Sequence, residues 1–95
     1  MSDRLVRNAQ VEMAPMKEET VLFNPTNNKF CILNVTAALI WNQLEQPKTV
    51  EEIVNAVRER FASADPSRVE RDVERALDEL RSIECVMSDA KAVGF

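Results

Sequence analysis

At 95 residues, with 45% hydrophobic and 29% charged content, the chain has room for one domain around a single core. Its net charge of −4 argues against a protein that draws its binding energy from clustered Lys and Arg on a phosphate backbone. With no histidine it lacks the commonest general base, metal ligand and pH switch, and a single glycine, Gly94, excludes glycine-rich phosphate loops.

Residues 1–9 show no hydrophobic period and read as a flexible N-terminal tail, residues 10–88 as the folded domain and residues 89–95 as a C-terminal tail. Met1-Ser2-Asp3-Arg4 leads into a polar segment with no signal-peptide core, and no apolar run approaches the roughly 18 to 20 residues that span a bilayer. The expected location is cytoplasmic, with no membrane partner. Val11 and Met13 alternate with Gln10, Glu12 and Ala14, as in a short edge strand that stops at Pro15. Thr20-Val21-Leu22-Phe23 and Lys29-Phe30-Cys31-Ile32-Leu33 are rich in β-branched and aromatic residues, and Asn24-Pro25-Thr26-Asn27-Asn28 between them supplies turn formers. This predicts a hairpin in which Asn27 and Asn28 fill left-handed positions usually given to glycine. A hairpin is not stable alone, so one face must be covered by helices.

Three helices are predicted to follow. Asn34 caps the first, whose buried stripe Ala37, Ile40, Trp41 and Leu44 falls at i, i+3, i+4 and i+7 before the chain reaches Pro47. Thr49 and Glu52 form a capping box for the second, which buries Val50, Ile53, Val54, Val57 and Phe61 and carries Arg58 and Arg60 at its C-terminal end. The third starts either with Asp65 as cap and Pro66 in the first turn, or with a Ser67–Glu70 capping box. Both starts bury Val69, Val73, Leu77 and Leu80. On this helix the apolar stripe spills to one side over Ala76 and Ile83, whereas the other flank, Glu70, Glu74 and Arg81, is polar. That spill fits the wall of a groove, but the residues alone favour the more ordinary reading, a surface packed under the N-terminal segment or under Cys85-Val86-Met87.

Catalytic chemistry finds no footing in these residues. Cys31 and Cys85 have no histidine partner and no Cys-x-x-Cys spacing, and in apolar surroundings they are expected as reduced thiols. The acidic residues of the third helix alternate with arginines, as on a solvated face. The expectation is a binding module with no cofactor, no metal and no enzymatic activity of its own.

The order of the motifs carries a family resemblance. Two strands, then Leu33-Asn34-x-Thr36-Ala37-x-x-Ile40-Trp41, then Thr49-Val50-x-x-Ile53-Val54, then Asp72-Val73 with Leu77 and Leu80, resembles the PqqD family. These are small peptide chaperones in the biosynthesis of pyrroloquinoline quinone and other ribosomally made, modified peptides. The resemblance covers about residues 19–87. It departs from the family where Gln46-Pro47 replaces an Asp-Gly after the first helix and Glu84-Cys85 replaces a Gly-Leu after the third.

The resemblance implies an α+β, winged-helix-like domain of three antiparallel strands followed by three helices. It also implies that the leader segment of a precursor peptide adds as an extra strand beside Lys29, Phe30, Cys31, Ile32 and Leu33 and lies against the third helix. The flank carried over is Arg68, Asp72, Ala76, Glu79 and Ile83, on which Asp72 and Glu79 suit a leader bearing Lys or Arg. The implied partners are that precursor peptide and a separate modifying enzyme, such as a radical S-adenosylmethionine protein or a protease. Two alternatives compete with this expectation. One is a winged-helix DNA-binding module, disfavoured because the third helix is not basic; the other is a self-associating module, such as a homodimer paired through the open strand edge.

Overall fold

The computed structural model describes residues 4–17 and 19–88. In chain order the elements are β1 (Arg4–Arg7), β2 (Glu12–Met16), β3 (Glu19–Asn24), β4 (Lys29–Leu33), α1 (Val35–Gln43), β5 (Lys48–Thr49), α2 (Val50–Arg60), α3 (Pro66–Ser82) and β6 (Val86–Ser88). The three antiparallel strands β2, β3 and β4, followed by three helices, form the expected α+β frame.

A second small sheet, in the order β5-β1-β6, is added to that frame. Arg4–Arg7, read from sequence as part of a tail, is therefore its central strand, with Leu5 buried and paired to Lys48 on one side and Ser88 on the other. Four residues are too few to display a period. What holds them is tertiary: the Arg7 guanidinium donates two hydrogen bonds to the Trp41 carbonyl, at 3.0 and 2.6 Å, and lies 4.4 Å from the centre of the Trp41 ring. Residues 1–3 and 89–95, also assigned to tails, lie outside the described residues.

In the larger sheet β2 runs through Pro15 to Met16, one residue past the expected stop. Proline is tolerated because β2 is an edge strand and pairs only with β3, where Pro15 faces Thr20. The β3–β4 hairpin pairs Asn24 with Lys29 across a four-residue loop. Asn28 takes the left-handed conformation, at φ 58°, whereas Asn27 does not and instead accepts a hydrogen bond from the Lys29 amide. Direct cross-strand neighbours share a face. Leu22 and Cys31 thus point toward the helices, while Val21, Phe23, Phe30 and Ile32 form an outer apolar face on which Phe30 is 66% and Ile32 55% exposed.

All three helices begin where the local chemistry requires. The Asn34 side chain accepts from the Ala37 amide at 2.8 Å, and Thr49 and Glu52 form the reciprocal capping box. For α3 the Asp65 start is realised, with its carboxylate accepting from the Ser67 amide at 3.1 Å and Pro66 at the first helical position. The buried stripes Ala37-Ile40-Trp41-Leu44, Ile53-Val54-Val57 and Val69-Val73-Leu77-Leu80 meet in one core with Leu22, Leu33 and Cys85.

At its C-terminus α3 closes in a Schellman motif, with the Cys85 amide bonding to the Leu80 carbonyl and the Glu84 amide to the Arg81 carbonyl. Glu84 holds the left-handed position, at φ 58°, where glycine is the unstrained choice. The side chain of Asn24, the one buried polar residue among those described, reaches this turn and donates to the Ile83 carbonyl at 2.9 Å and the Glu84 carbonyl at 3.3 Å. Asn27 adds a third donation, to the Ile83 carbonyl at 3.1 Å. Two amide side chains thereby fasten the β3–β4 hairpin to the end of α3.

Candidate functional site

Sheet edges are where the backbone keeps unmatched donors and acceptors, so each edge is a potential site for an added strand. The described residues offer four. β5 has two residues and β6 three, and β2 carries Pro15, which has no N–H to offer. β4 is left as a five-residue edge free of proline.

A groove runs beside that edge. β4 leans on α1, and α3 packs against α1, α2 and β6, so a gap remains between β4 and the middle of α3. Its volume is about 170 Å³, and Ile32, Asn34, Thr36 and Ala37 border it on one side with Asp72, Arg75, Ala76 and Glu79 on the other. The two walls are close enough to sense each other electrically. Burial raises the Cys31 thiol pKa, and the Glu79 carboxylate facing it raises it further.

The sequence-derived residues divide on this geometry. Lys29 to Leu33 form the open edge, and Asp72, Ala76 and Glu79 line the groove with Ile32. Ala76 is 7% exposed, so the apolar spill on α3 serves the core and the groove floor together. Arg68 lies one turn before the groove, beside a neighbouring pocket. Ile83 is not brought to the groove: it packs against the core, and its carbonyl receives the Asn24 and Asn27 amides.

Four lining residues were missed. Asn34, Thr36 and Ala37 belong to the cap and first turn of α1, and Arg75 lies beside Ala76, off the expected flank of Arg68, Asp72, Ala76, Glu79 and Ile83. A step of three from Asp72 at the 3.6-residue period finds it. Arg75 also changes the electrostatics. Two carboxylates and one guanidinium leave the lining with one net negative charge rather than two. Among the described residues the ion pair within 4 Å is Arg58–Glu70, so Asp72, Arg75 and Glu79 remain unpaired with other side chains.

Other chemistries find no support among the described residues. No cluster of three or more His, Cys, Asp or Glu side chains could hold a metal ion, and no helix is long and apolar enough to cross a membrane. Cys31 and Cys85 are free thiols, and burial pushes the Cys85 pKa up to about 11.

Comparison with known proteins finds similar folds among solved structures. TbiB1, solved in complex with the TbiA(β) leader peptide, superposes with a TM-score of 0.72 at 29% identity, covering 95% of this chain and 96% of that one. A lasso peptide synthetase B1 complexed with the leader peptide shares the fold at a TM-score of 0.67 and 18% identity, covering 87% and 96%. No curated protein matches the chain. The family model described as coenzyme PQQ synthesis protein D matches residues 19–86. That match spans the hairpin, all three helices and the Schellman turn, so this chain belongs to the PqqD family.

Proposed function

We propose that this chain captures the leader segment of a ribosomally made precursor peptide by strand addition to β4 and presents the peptide to a separate modifying enzyme, with no catalytic step of its own. The observation that carries the reading is the open, proline-free β4 edge lying directly beside the α3 groove. An extended peptide there gains main-chain hydrogen bonds from the edge while alternate side chains enter the groove.

Magnitudes fit this division of labour. Alternate residues of an antiparallel edge face outward, so five residues offer two or three N–H and C=O pairs. At about 1 kcal/mol net per hydrogen bond these give roughly 4–6 kcal/mol. A micromolar leader needs about 8 kcal/mol, so groove contacts must contribute as well. Such an affinity suffices to raise the local concentration of the precursor at the enzyme and still permits release. The leader bound by TbiB1 supports the reading, as does the mixed charge of α3, whose alternating carboxylates and guanidiniums suit a duplex-DNA backbone poorly.

The test is an isotope-edited NMR titration with synthetic leaders of the precursors encoded near this chain. Shifts concentrated in Lys29 to Leu33 and along Asp72 to Glu79 are expected. Asp72→Ala with Glu79→Ala, both exposed, should weaken binding of a basic leader with the fold intact. Ala76→Arg is also expected to abolish binding, though as a buried residue it needs a fold control. Shifts spread elsewhere, or shifts only with duplex DNA, would overturn the proposal.

A further inference from the structure

The charged side chains of α3 are sorted by face. With the fully buried Val73 marking the direction of the core, Ala76, Asp72 and Glu79 stand roughly 60–120° round the helix on the groove side, at about 100° per residue. Arg68, Arg71 and Arg75, at i, i+3 and i+7, stand roughly 140–200° round in the same sense, on the face turned away from the core. Together with Asp72 these three arginines border a shallow hollow of about 420 Å³. Its lining carries a net positive charge on a chain whose net charge is −4. Among the described residues the ion pair within 4 Å is Arg58–Glu70, so none of the three guanidiniums has an ionic partner there.

This ridge also runs against the helix that bears it. Aligned peptide dipoles leave the N-terminal turns of a helix positive, where carboxylates are stabilising and cations are not. The first turn of α3 nevertheless holds Arg68 and no acidic residue, and Arg71 follows in the second. Core packing supplies no reason, since all three arginines are exposed. A local preference broken without a compensating contact marks a surface shaped for a partner.

We propose that the arginine ridge is the docking surface for an acidic segment of the modifying enzyme to which the captured leader is presented. This rests on the leader-capture reading and adds to it where the second partner sits. Seven residues of helix rise about 10 Å, too far for one carboxylate to span and about two turns of an acidic helix. Each planar guanidinium can hold one carboxylate through two parallel N–H donations. Asp72 in the hollow, with Glu74 and Asp78 beside it on the helix, repels a continuous polyanion such as a duplex backbone, with a charge about every 1.7 Å, whereas discrete carboxylates can settle against each arginine. A strand seated on β4 fills the groove side of α3 and leaves the far face open; Arg71 borders the hollow and not the groove. Leader and enzyme therefore occupy neighbouring surfaces without competing.

The test uses the full chain, the synthetic leader that shifts β4 in the titration above and the modifying enzyme encoded near this chain, with each affinity measured by calorimetry. The wild type should bind the enzyme, less tightly as salt rises from about 50 to about 500 mM, and free polyglutamate should compete. Arg71→Glu should weaken enzyme binding about tenfold, since it sets like charges against each other, and should leave leader affinity unchanged. Arg68→Glu gives a second variant: a carboxylate in the first turn favours the helix, so a loss of enzyme binding there does not come from a weakened fold. If the wild type does not bind the enzyme, if both variants bind it as tightly as the wild type, or if Arg71→Glu loses the leader instead, this inference fails while leader capture stands. Duplex DNA that binds the wild type and not Arg71→Glu would overturn it in favour of a nucleic-acid surface. If no leader shifts β4 at all, it is the capture reading that fails.

Discussion

Replacing Asn24 with alanine should cost more than any single surface change in the molecule, and the cost can be worked from its bonds. The side chain is fully buried, donates to the Ile83 and Glu84 carbonyls and accepts from the Thr26 amide at 3.0 Å. Neither carbonyl is orphaned by the change, because Asn27 still donates to Ile83 at 3.1 Å and Asn8 to Glu84 at 2.8 Å. The loss is then two or three hydrogen bonds at about 1 kcal/mol each, or roughly 2–3 kcal/mol in all. For a domain of this size that lowers Tm by about 10–20 °C. Urea denaturation followed by Trp41, the one tryptophan and 3% exposed, gives a direct readout. Asn27→Ala alone should cost about 1 kcal/mol, and the double variant more than the sum, because the Ile83 carbonyl then loses both side-chain donors. A loss below about 0.5 kcal/mol for Asn24→Ala, or strict additivity, would refute the view that these two amides fasten the hairpin to α3.

Glu84→Gly should stabilise the protein by up to about 1 kcal/mol, since glycine removes the left-handed strain at φ 58°; an unchanged urea midpoint would show that the position is relaxed. Arg7→Lys keeps the charge but loses the paired donation to the Trp41 carbonyl and the planar stacking, and a loss of about 1–2 kcal/mol with altered Trp41 emission is expected. The Cys85 thiol is raised from its ordinary 9.0 to about 11 by burial, and the neighbouring Cys31 adds to the rise, so the folded state prefers the protonated thiol. Its stabilising contribution is complete below pH 9 and disappears as the pH rises toward 11. Urea midpoints should therefore fall across that window in the wild type and fall less in Cys85→Ala, whereas equal slopes would assign the loss to other groups.

Local chemistry explains what could be read from the residues. The caps at Asn34, Thr49 and Asp65 are side chains bonding to amides two or three positions along the same chain, and the helix stripes are periodic, so both are visible without a fold. The second sheet is different in kind. β1, β5 and β6 are two to four residues long and owe their existence to partners more than 40 positions away, which no window of sequence reports. Asn24 was hidden for a related reason. In a run of Asn, Pro and Thr it reads as a turn former, and only the return of the chain at Ile83 turns it into a buried clamp. At the groove, Asp72 and Glu79 were legible from one face of α3. Thr36, which borders the groove, was indistinguishable from a first-turn helix residue.

The outer face of β4 has a consequence for how the protein behaves in concentrated solution. Phe30 and Ile32 stand more than half exposed on a strand whose edge is open, which is the combination that lets molecules stack into extended sheets. A net charge of −4 supplies long-range repulsion against this, and salt near physiological strength screens it beyond about 8 Å. Colloidal stability is therefore poised on ionic strength for as long as β4 is vacant, and any strand that seats on β4 acts as a molecular stopper against self-templating.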